Sequence, residues 1–149
     1  MSEATDDQGP ALHVGYVIGR LDRVLRRNLR DQLRTHDLSV PEYTTLSVLL
    51  RRPGLSNAQL ARRAFVTPQT MNEIMVQLLQ RKLVTRRVDP RHSRVLQTRL
   101  TAPGRRLIER CEAETDELER RMLDGLSKPE RDRLTESLRT CVRNLDAGL

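Results

Sequence analysis

The stretch SNAQLARRAFVTPQTMNEIMVQLLQRKLVTRRVDPRHSRVLQTRLT, from Ser56 to Thr101, decides the fold. It contains two helix starts close together. Ser56 with Gln59 has capping-box spacing, in which side chain and backbone satisfy each other's orphan groups. Thr67 followed by Pro68 supplies a hydroxyl cap and a proline at the first helical position. The first start predicts a short helix over about Asn57 to Ala64, the second a helix over about Pro68 to Lys82. Met71, Ile74, Met75, Leu78 and Leu79 recur in the second at three- and four-residue intervals, so they form its buried face. The period then shortens towards two. Leu83 to Val88 and Val95 to Thr101 carry β-branched residues in short runs, and the turn-forming residues Asp89 to Arg94 join them, which predicts a β-hairpin.

Helices are expected on either side of this block. Upstream, Val14, Val17, Ile18, Leu21, Val24, Leu25 and Leu29 mark one face of a helix over Leu12 to His36. Ser39 and Glu42 start another, from about Pro41 to Arg51, which Pro53-Gly54 closes. Downstream of Pro103-Gly104 a long helix runs to about Leu123, with Leu107, Ile108, Cys111, Leu118 and Met122 on one face. Ser127 with Glu130 starts a last helix over about Lys128 to Leu145, striped by Leu134, Leu138, Cys141, Val142 and Leu145. The expected class is mainly α with a small β-hairpin wing, in a single domain over residues 1–149. Residues 1–10 are acidic and polar, unlike a signal or transit peptide, and are expected to be a frayed tail of a cytoplasmic protein. No apolar run approaches the roughly 20 residues that span a bilayer. Two cysteines make no disulfide framework, and both fall on apolar faces, where burial as small hydrophobes is expected.

The formal net charge is +7, and its location matters more than its size. Arg51 to Arg106 holds thirteen Lys/Arg against two acids, Glu73 and Asp89, while the two flanks together are net acidic. A basic field confined to one third of the chain points to a polyanionic partner. Only Tyr16, Tyr43 and Phe65 are aromatic, too few for the stacking platforms of single-strand and RNA modules, so the expected partner is duplex DNA. The helix opening at Thr67 would meet base edges with Thr67, Pro68, Gln69, Thr70, Asn72 and Glu73. Gln and Asn suit adenine, Glu accepts from cytosine, and Thr meets a thymine methyl. Such residues also occur on any solvated helix face, and the adjoining hairpin is what gives them weight. It carries Arg86, Arg87, Arg91, Arg94 and Arg99 with only Asp89 to offset them. One or two arginines would merely guard an edge strand, whereas five suit a wing on a phosphate backbone or in a minor groove.

In these residues the chain resembles the MarR family of multiple-antibiotic-resistance regulators. The resemblance rests on Leu60-Ala61-Arg62-Arg63, on Thr67-Pro68-Gln69-Thr70, and on the wing motif Asp89-Pro90-Arg91 with Arg94, then Leu100-Thr101 before Gly104. It implies a winged helix-turn-helix lobe over 41–101 and a dimerisation region formed by helices at 12–36 and 103–146. It further implies a homodimer on a pseudo-palindromic operator, and repression relieved by a small anionic or phenolic effector. DNA-contacting wing residues would be Arg87, Arg91, His92, Ser93 and Arg94. Three departures stand out. Lys82 occupies a place where glycine is common, His92-Ser93 sits at the wing tip, and Thr101-Ala102-Pro103-Gly104 reverses the usual order of its middle pair.

Other chemistries find little support. His13, His36 and His92 are scattered without metal-ligand spacing, and neither a phosphate loop nor a nucleophile elbow is present, so no catalytic residue, metal or cofactor is expected. The rival reading is a winged-helix module that docks on protein, and the concentrated positive charge argues against it. Arg20 and Tyr43 are candidate effector contacts, the arginine for a carboxylate. A surface arginine and a core tyrosine would equally explain them.

Overall fold

A computed structural model describes residues 13–145. The elements, in order, are α1 (His13–Leu33) with a 3-10 turn (Arg34–His36), α2 (Val40–Arg51), α3 (Asn57–Arg63), α4 (Pro68–Gln80), β1 (Val84–Asp89), β2 (His92–Leu100), α5 (Ala102–Met122) and α6 (Lys128–Leu145). The expected tail at 1–10, Leu12 of the first helix and position 146 of the last lie outside the described residues. Two compact units are present, one ending at Thr115 and one beginning at Asp116.

In the first unit, Leu33, Leu46, Leu49, Leu60, Met71, Met75, Leu78 and Ile108 are almost wholly buried in one core with Cys111. Each fully buried aliphatic side chain contributes about 1.5–3 kcal/mol, so this cluster, not helix propensity, sets the positions of α2, α3 and α4. The predicted caps are in place. The Ser39 and Ser56 hydroxyls accept from the Glu42 and Gln59 backbone N–H groups, and both boxes close reciprocally. Thr67 caps α4 through the Thr70 N–H at 3.1 Å. β1 and β2 pair antiparallel from Val84↔Leu100 to Val88↔Leu96, and Leu55 bridges to Thr98 as a third contact. The Gly54 N–H donates to the Thr98 carbonyl and the Thr98 N–H to the Leu55 carbonyl, both at 2.9 Å, which anchors the wing beside the start of α3.

The wing is longer than its composition suggests. Asp89 pairs with His92, so the turn is only Pro90-Arg91, and the six-residue linker expected from the sequence is largely strand. The register then jumps from Asp89↔His92 to Val88↔Leu96, leaving Ser93, Arg94 and Val95 without a partner across the ladder. Arg94 therefore rides in a bulge of β2. Strand pairing uses backbone groups, so the polar side chain of His92 does not prevent it.

Lys82 does the work of the missing glycine. Its φ is 55°, its N–H donates to the Leu79 carbonyl, and the Leu83 N–H donates to the Leu78 carbonyl, both at 3.0 Å. This is a Schellman ending, and burial of Leu78 and Leu83 supplies its apolar contact. Asp37 and Phe65 adopt positive φ with matching bonds at the ends of the 3-10 turn and of α3. Thr101 caps α5, its hydroxyl accepting from the Gly104 N–H at 3.1 Å and donating to the Lys82 carbonyl at 2.6 Å. The reversed Ala102-Pro103 order leaves that cap whole. A Cβ on Gly104 would lie 1.9 Å from the Leu83 carbonyl oxygen, so only glycine fits.

The second unit holds the last turns of α5 and all of α6. A capping box of Ser127 and Glu130 starts α6, and the Arg131 Nε donates to the Leu126 carbonyl at 2.9 Å. No residue of α6 is buried, and Leu134, Leu138 and Val142 lie exposed in a stripe. Cys141 is exposed, contrary to the burial its position on the stripe suggested, while Cys111 is buried as expected. In the first unit, α1 likewise exposes Val14, Val17, Ile18, Leu21 and Val24.

Two substitutions test the junction after α4. Lys82→Gly removes a side chain from a left-handed conformation and should raise unfolding stability by up to about 1 kcal/mol. Gly104→Ala should lower it by about 1–3 kcal/mol through the clash with Leu83. Denaturant titration of both variants reads the two signs.

Candidate nucleic-acid interface

α4 buries Met71, Ile74, Met75 and Leu78, which turns Gln69, Asn72, Glu73 and Val76 outward. Thr67 and Pro68 are exposed at the helix start. Thr70 is half-buried, and its hydroxyl accepts from that of Thr67 at 3.0 Å, so it belongs to the cap. The outward face thus offers one glutamine, one asparagine and one glutamate within two turns of a helix N-terminus.

Alternation along β1 divides the wing arginines. Arg87 is exposed, whereas Arg86 is half-buried, and burial pushes its guanidinium down from the ordinary value. Arg86 Nη2 donates to Asn57 Oδ1 at 2.6 Å, and Asn57 Nδ2 donates to Asn72 Oδ1. Arg86 is therefore tied into the lobe and is not one of five equivalent contact arginines. The sequence counted Arg86 only among the five wing arginines and did not single out Asn57. Period-two counting from buried Val84 places Arg86 on the inward face, and that signal was available.

At the tip, Arg91, His92, Ser93 and Arg94 are all exposed. The Asp89 carboxylate accepts from the Arg91 backbone N–H at 2.8 Å, so the backbone and not the guanidinium closes the turn. Among the described residues Arg87, Arg91 and Arg94 form no ion pair with a carboxylate. A cleft of about 390 Å³ runs between the start of α3 and the wing, with Arg86 and Arg94 on its wall. The outward face of α4, the wing cations and this cleft all lie within the first unit.

The two candidate effector contacts have different surroundings. The Arg20 guanidinium lies 5.9 Å from the ring centre of Tyr16, on its own helix. Tyr43 packs half-buried against the core, and burial raises its phenol above the ordinary value despite a hydrogen bond with Thr115. Beside it, Ser47 donates to Glu112 at 2.6 Å and Arg51 joins the same carboxylate oxygen. Burial acts to raise the Glu112 carboxyl, but the Arg51 and Ser47 hydrogen bonds outweigh it and hold the group below the usual carboxylate value. His36 Nε2 meets Glu114 at 3.0 Å, and Arg81 Nη1 donates to the Asp37 carbonyl at 2.6 Å. These ties between α5, the end of α1 and the end of α4 were not visible in the sequence. Burial, with Glu114 adding to it, pushes the Cys111 thiol up to about 11, so it is no ready thiolate.

Two helices meeting at a tight turn, the second exposed on its outer face and followed by a basic hairpin, define a winged helix-turn-helix protein. A profile of the MarR family matches residues 36–95. The HTH-type transcriptional repressor Rv2887 of Mycobacterium tuberculosis is 38% identical over 117 residues, covering 78% of this chain and 84% of that protein. A MarR-family transcriptional regulator from Silicibacter pomeroyi superposes with a TM-score of 0.80 at 26% identity, over 89% of this chain and 90% of its own. Rv2887 in complex with DNA superposes with a TM-score of 0.70 at 35% identity, over 85% and 95%. Rv2887 has also been solved with salicylic acid, at a TM-score of 0.70 and 36% identity, over 91% and 98%. The chain belongs to the MarR family, and the relatives it matches are transcriptional regulators. Among the described residues no helix is long and apolar enough to cross a membrane.

The tip separates backbone roles from side-chain roles. Asp89→Ala removes the acceptor of the Arg91 N–H and should cost about 0.5–1.5 kcal/mol. Arg91→Ala and Arg94→Ala should each stay within about 0.5 kcal/mol of the parent, as exposed side chains without bonds do. Thermal melts of the three variants provide the comparison.

Proposed function

We propose that this chain is a sequence-specific repressor of transcription that binds duplex DNA as a homodimer in the cytoplasm, without enzymatic activity, and releases DNA on binding a small anionic or phenolic effector. One observation carries the reading: the outward face of α4, with Gln69, Asn72 and Glu73, lies in the same compact unit as a wing whose Arg87, Arg91 and Arg94 have no carboxylate partner among the described residues. In this proposal Thr67, Pro68, Gln69, Thr70, Asn72 and Glu73 enter the major groove, with the α4 N–H groups aimed at a phosphate. Arg87, Arg91, His92, Ser93 and Arg94 follow the backbone or the minor groove. Residues 41–101 form the reading lobe of one MarR-type domain, and helices at 12–36 and 103–146 join two copies. The exposed apolar stripes of α1 and α6 support that assembly, because single-chain exposure of this kind is what an isologous partner covers. The complexes of Rv2887 with DNA and with salicylic acid support both ligand classes. Arg20 and Tyr43 are the proposed effector contacts, the arginine for a carboxylate and the tyrosine hydroxyl as a donor.

Selection from random duplex DNA, followed by titration of the selected site against salt, tests the reading. Log affinity should fall with log salt at about 0.9 per phosphate neutralised, and Arg94→Ala should bind more weakly with a slope shallower by roughly one contact. Gln69→Ala should cost about 1–3 kcal/mol on the selected site and little on random duplex. A flat salt dependence with no enriched sequence would replace this reading with a protein-docking module. For the assembly, charged residues at Leu138 and Val142 should dissociate or unfold the protein, and a stable dimer of that variant in light scattering would place the interface elsewhere.

A further inference from the structure

The hydrogen-bonded chain from β1 through α3 to α4 has a direction. Arg86 donates to Asn57 Oδ1 at 2.6 Å, and Asn57 Nδ2 donates to Asn72 Oδ1. A guanidinium carries five N–H donors and no acceptor. Only the oxygen of the Asn57 amide can therefore face Arg86, which turns the Asn57 nitrogen towards α4. Only the oxygen of the Asn72 amide can receive it. The oxygen-nitrogen ambiguity of an isolated amide is removed at both asparagines, because the chain begins at a group that can only donate. Asn72 is exposed, and its Nδ2 has no acceptor among the described residues.

We propose that Arg86 and Asn57 are specificity-determining positioning residues that commit the Asn72 oxygen inward and present its amide donors to the major groove, so that residue 72 reads a guanine edge and not adenine. This rests on the DNA-binding reading given above. A bidentate contact with adenine needs both halves of the amide, the oxygen to accept from N6 and the nitrogen to donate to N7. Here the oxygen is engaged within the protein. Guanine presents two neighbouring acceptors, N7 and O6, and donors alone satisfy it. Arg86, counted by charge as a wing contact, thereby acts through its partners on a base it does not touch.

Asn57→Asp reverses the polarity of the chain. The new carboxylate accepts from Arg86 as before, and at the first position of α3 its charge favours the helix. It cannot donate to Asn72, so the Asn72 amide turns over, gives its nitrogen to that carboxylate and sends its oxygen outward. The experiment is selection from random duplex with the full-length parent, Asn72→Ala, Asn57→Asp and Arg86→Met, each checked for folding by circular dichroism. Asn72→Ala identifies the base position that residue 72 reads. There the parent should prefer guanine by about tenfold, within the range for one good contact. Asn57→Asp should move the preference to a donor-bearing edge, cytosine N4 or adenine N6, and leave the rest of the motif intact. Its added charge lowers affinity for every sequence alike, so the preference within the variant remains the readout. Arg86→Met frees Asn57 to turn either way and should flatten the preference without inverting it. A parent that selects adenine at this position, or an Asn57→Asp variant that keeps the parent's guanine, overturns the inference while DNA binding stands. An Asn72→Ala variant that keeps the parent's preference at every position also overturns it. A parent that enriches no sequence at all defeats the DNA-binding reading, and the inference falls with it.

Discussion

Two consecutive carbonyls, those of Lys82 and Leu83, determine how α4, the wing and α5 are placed. The Lys82 carbonyl takes the Thr101 hydroxyl, and the Leu83 carbonyl takes the Thr101 N–H at 3.0 Å. The same Thr101 caps α5, and Gly104 lets that helix approach the Leu83 backbone more closely than any side chain would permit. The end of α4, the base of both wing strands and the start of α5 thus meet within a few residues. Movement of the wing relative to α4 must break or stretch one of these bonds. Preorganisation of this kind lowers the ordering cost that a flexible wing would incur on meeting a ligand.

Charge acts on a second level, with the cations sorted by their bonding partners. Arg51 and Arg81 tie helices together, Arg86 holds an amide chain, and Arg87, Arg91 and Arg94 face outward. A net charge confined to the middle of the chain is therefore a sum over unlike roles. Of the three arginines that hold structure only Arg86 is half-buried. Its one bond to Asn57 does not offset that burial, which lowers its guanidinium and leaves its Nε without a partner among the described residues.

Much of the fold was legible because its signals are local. Ser39, Ser56, Thr67 and Ser127 cap the helices they were expected to cap, since a cap and its partner lie three residues apart in sequence. The apolar period of α4 placed its buried face correctly for the same reason. The tip departs from expectation because polar composition reads as loop, although His92 can pair by backbone alone. Lys82 shows the opposite case, in which tertiary burial of Leu78 and Leu83 enforces an ending that local preference would assign to glycine. At the site, the exposed face of α4 followed from periodicity. The chain through Asn57, Asn72 and Arg86 did not, because it joins residues 15 and 29 positions apart. Nothing short of the fold brings those three together.

The bulge at Ser93, Arg94 and Val95 separates the tip from the ladder beneath it. From Val88↔Leu96 to Val84↔Leu100 the pairing is regular, and the anchors at Leu55 and Thr98 belong to that regular part. Residues inserted or deleted in the tip change its length without shifting the register below, where a one-residue slip would turn every side chain to the wrong face. The tip is thus free to vary in descendants of this gene while α4 and the ladder stay under packing constraint. In the proposed interface, the wing half can drift towards new flanking sequences as the α4 half holds to its own.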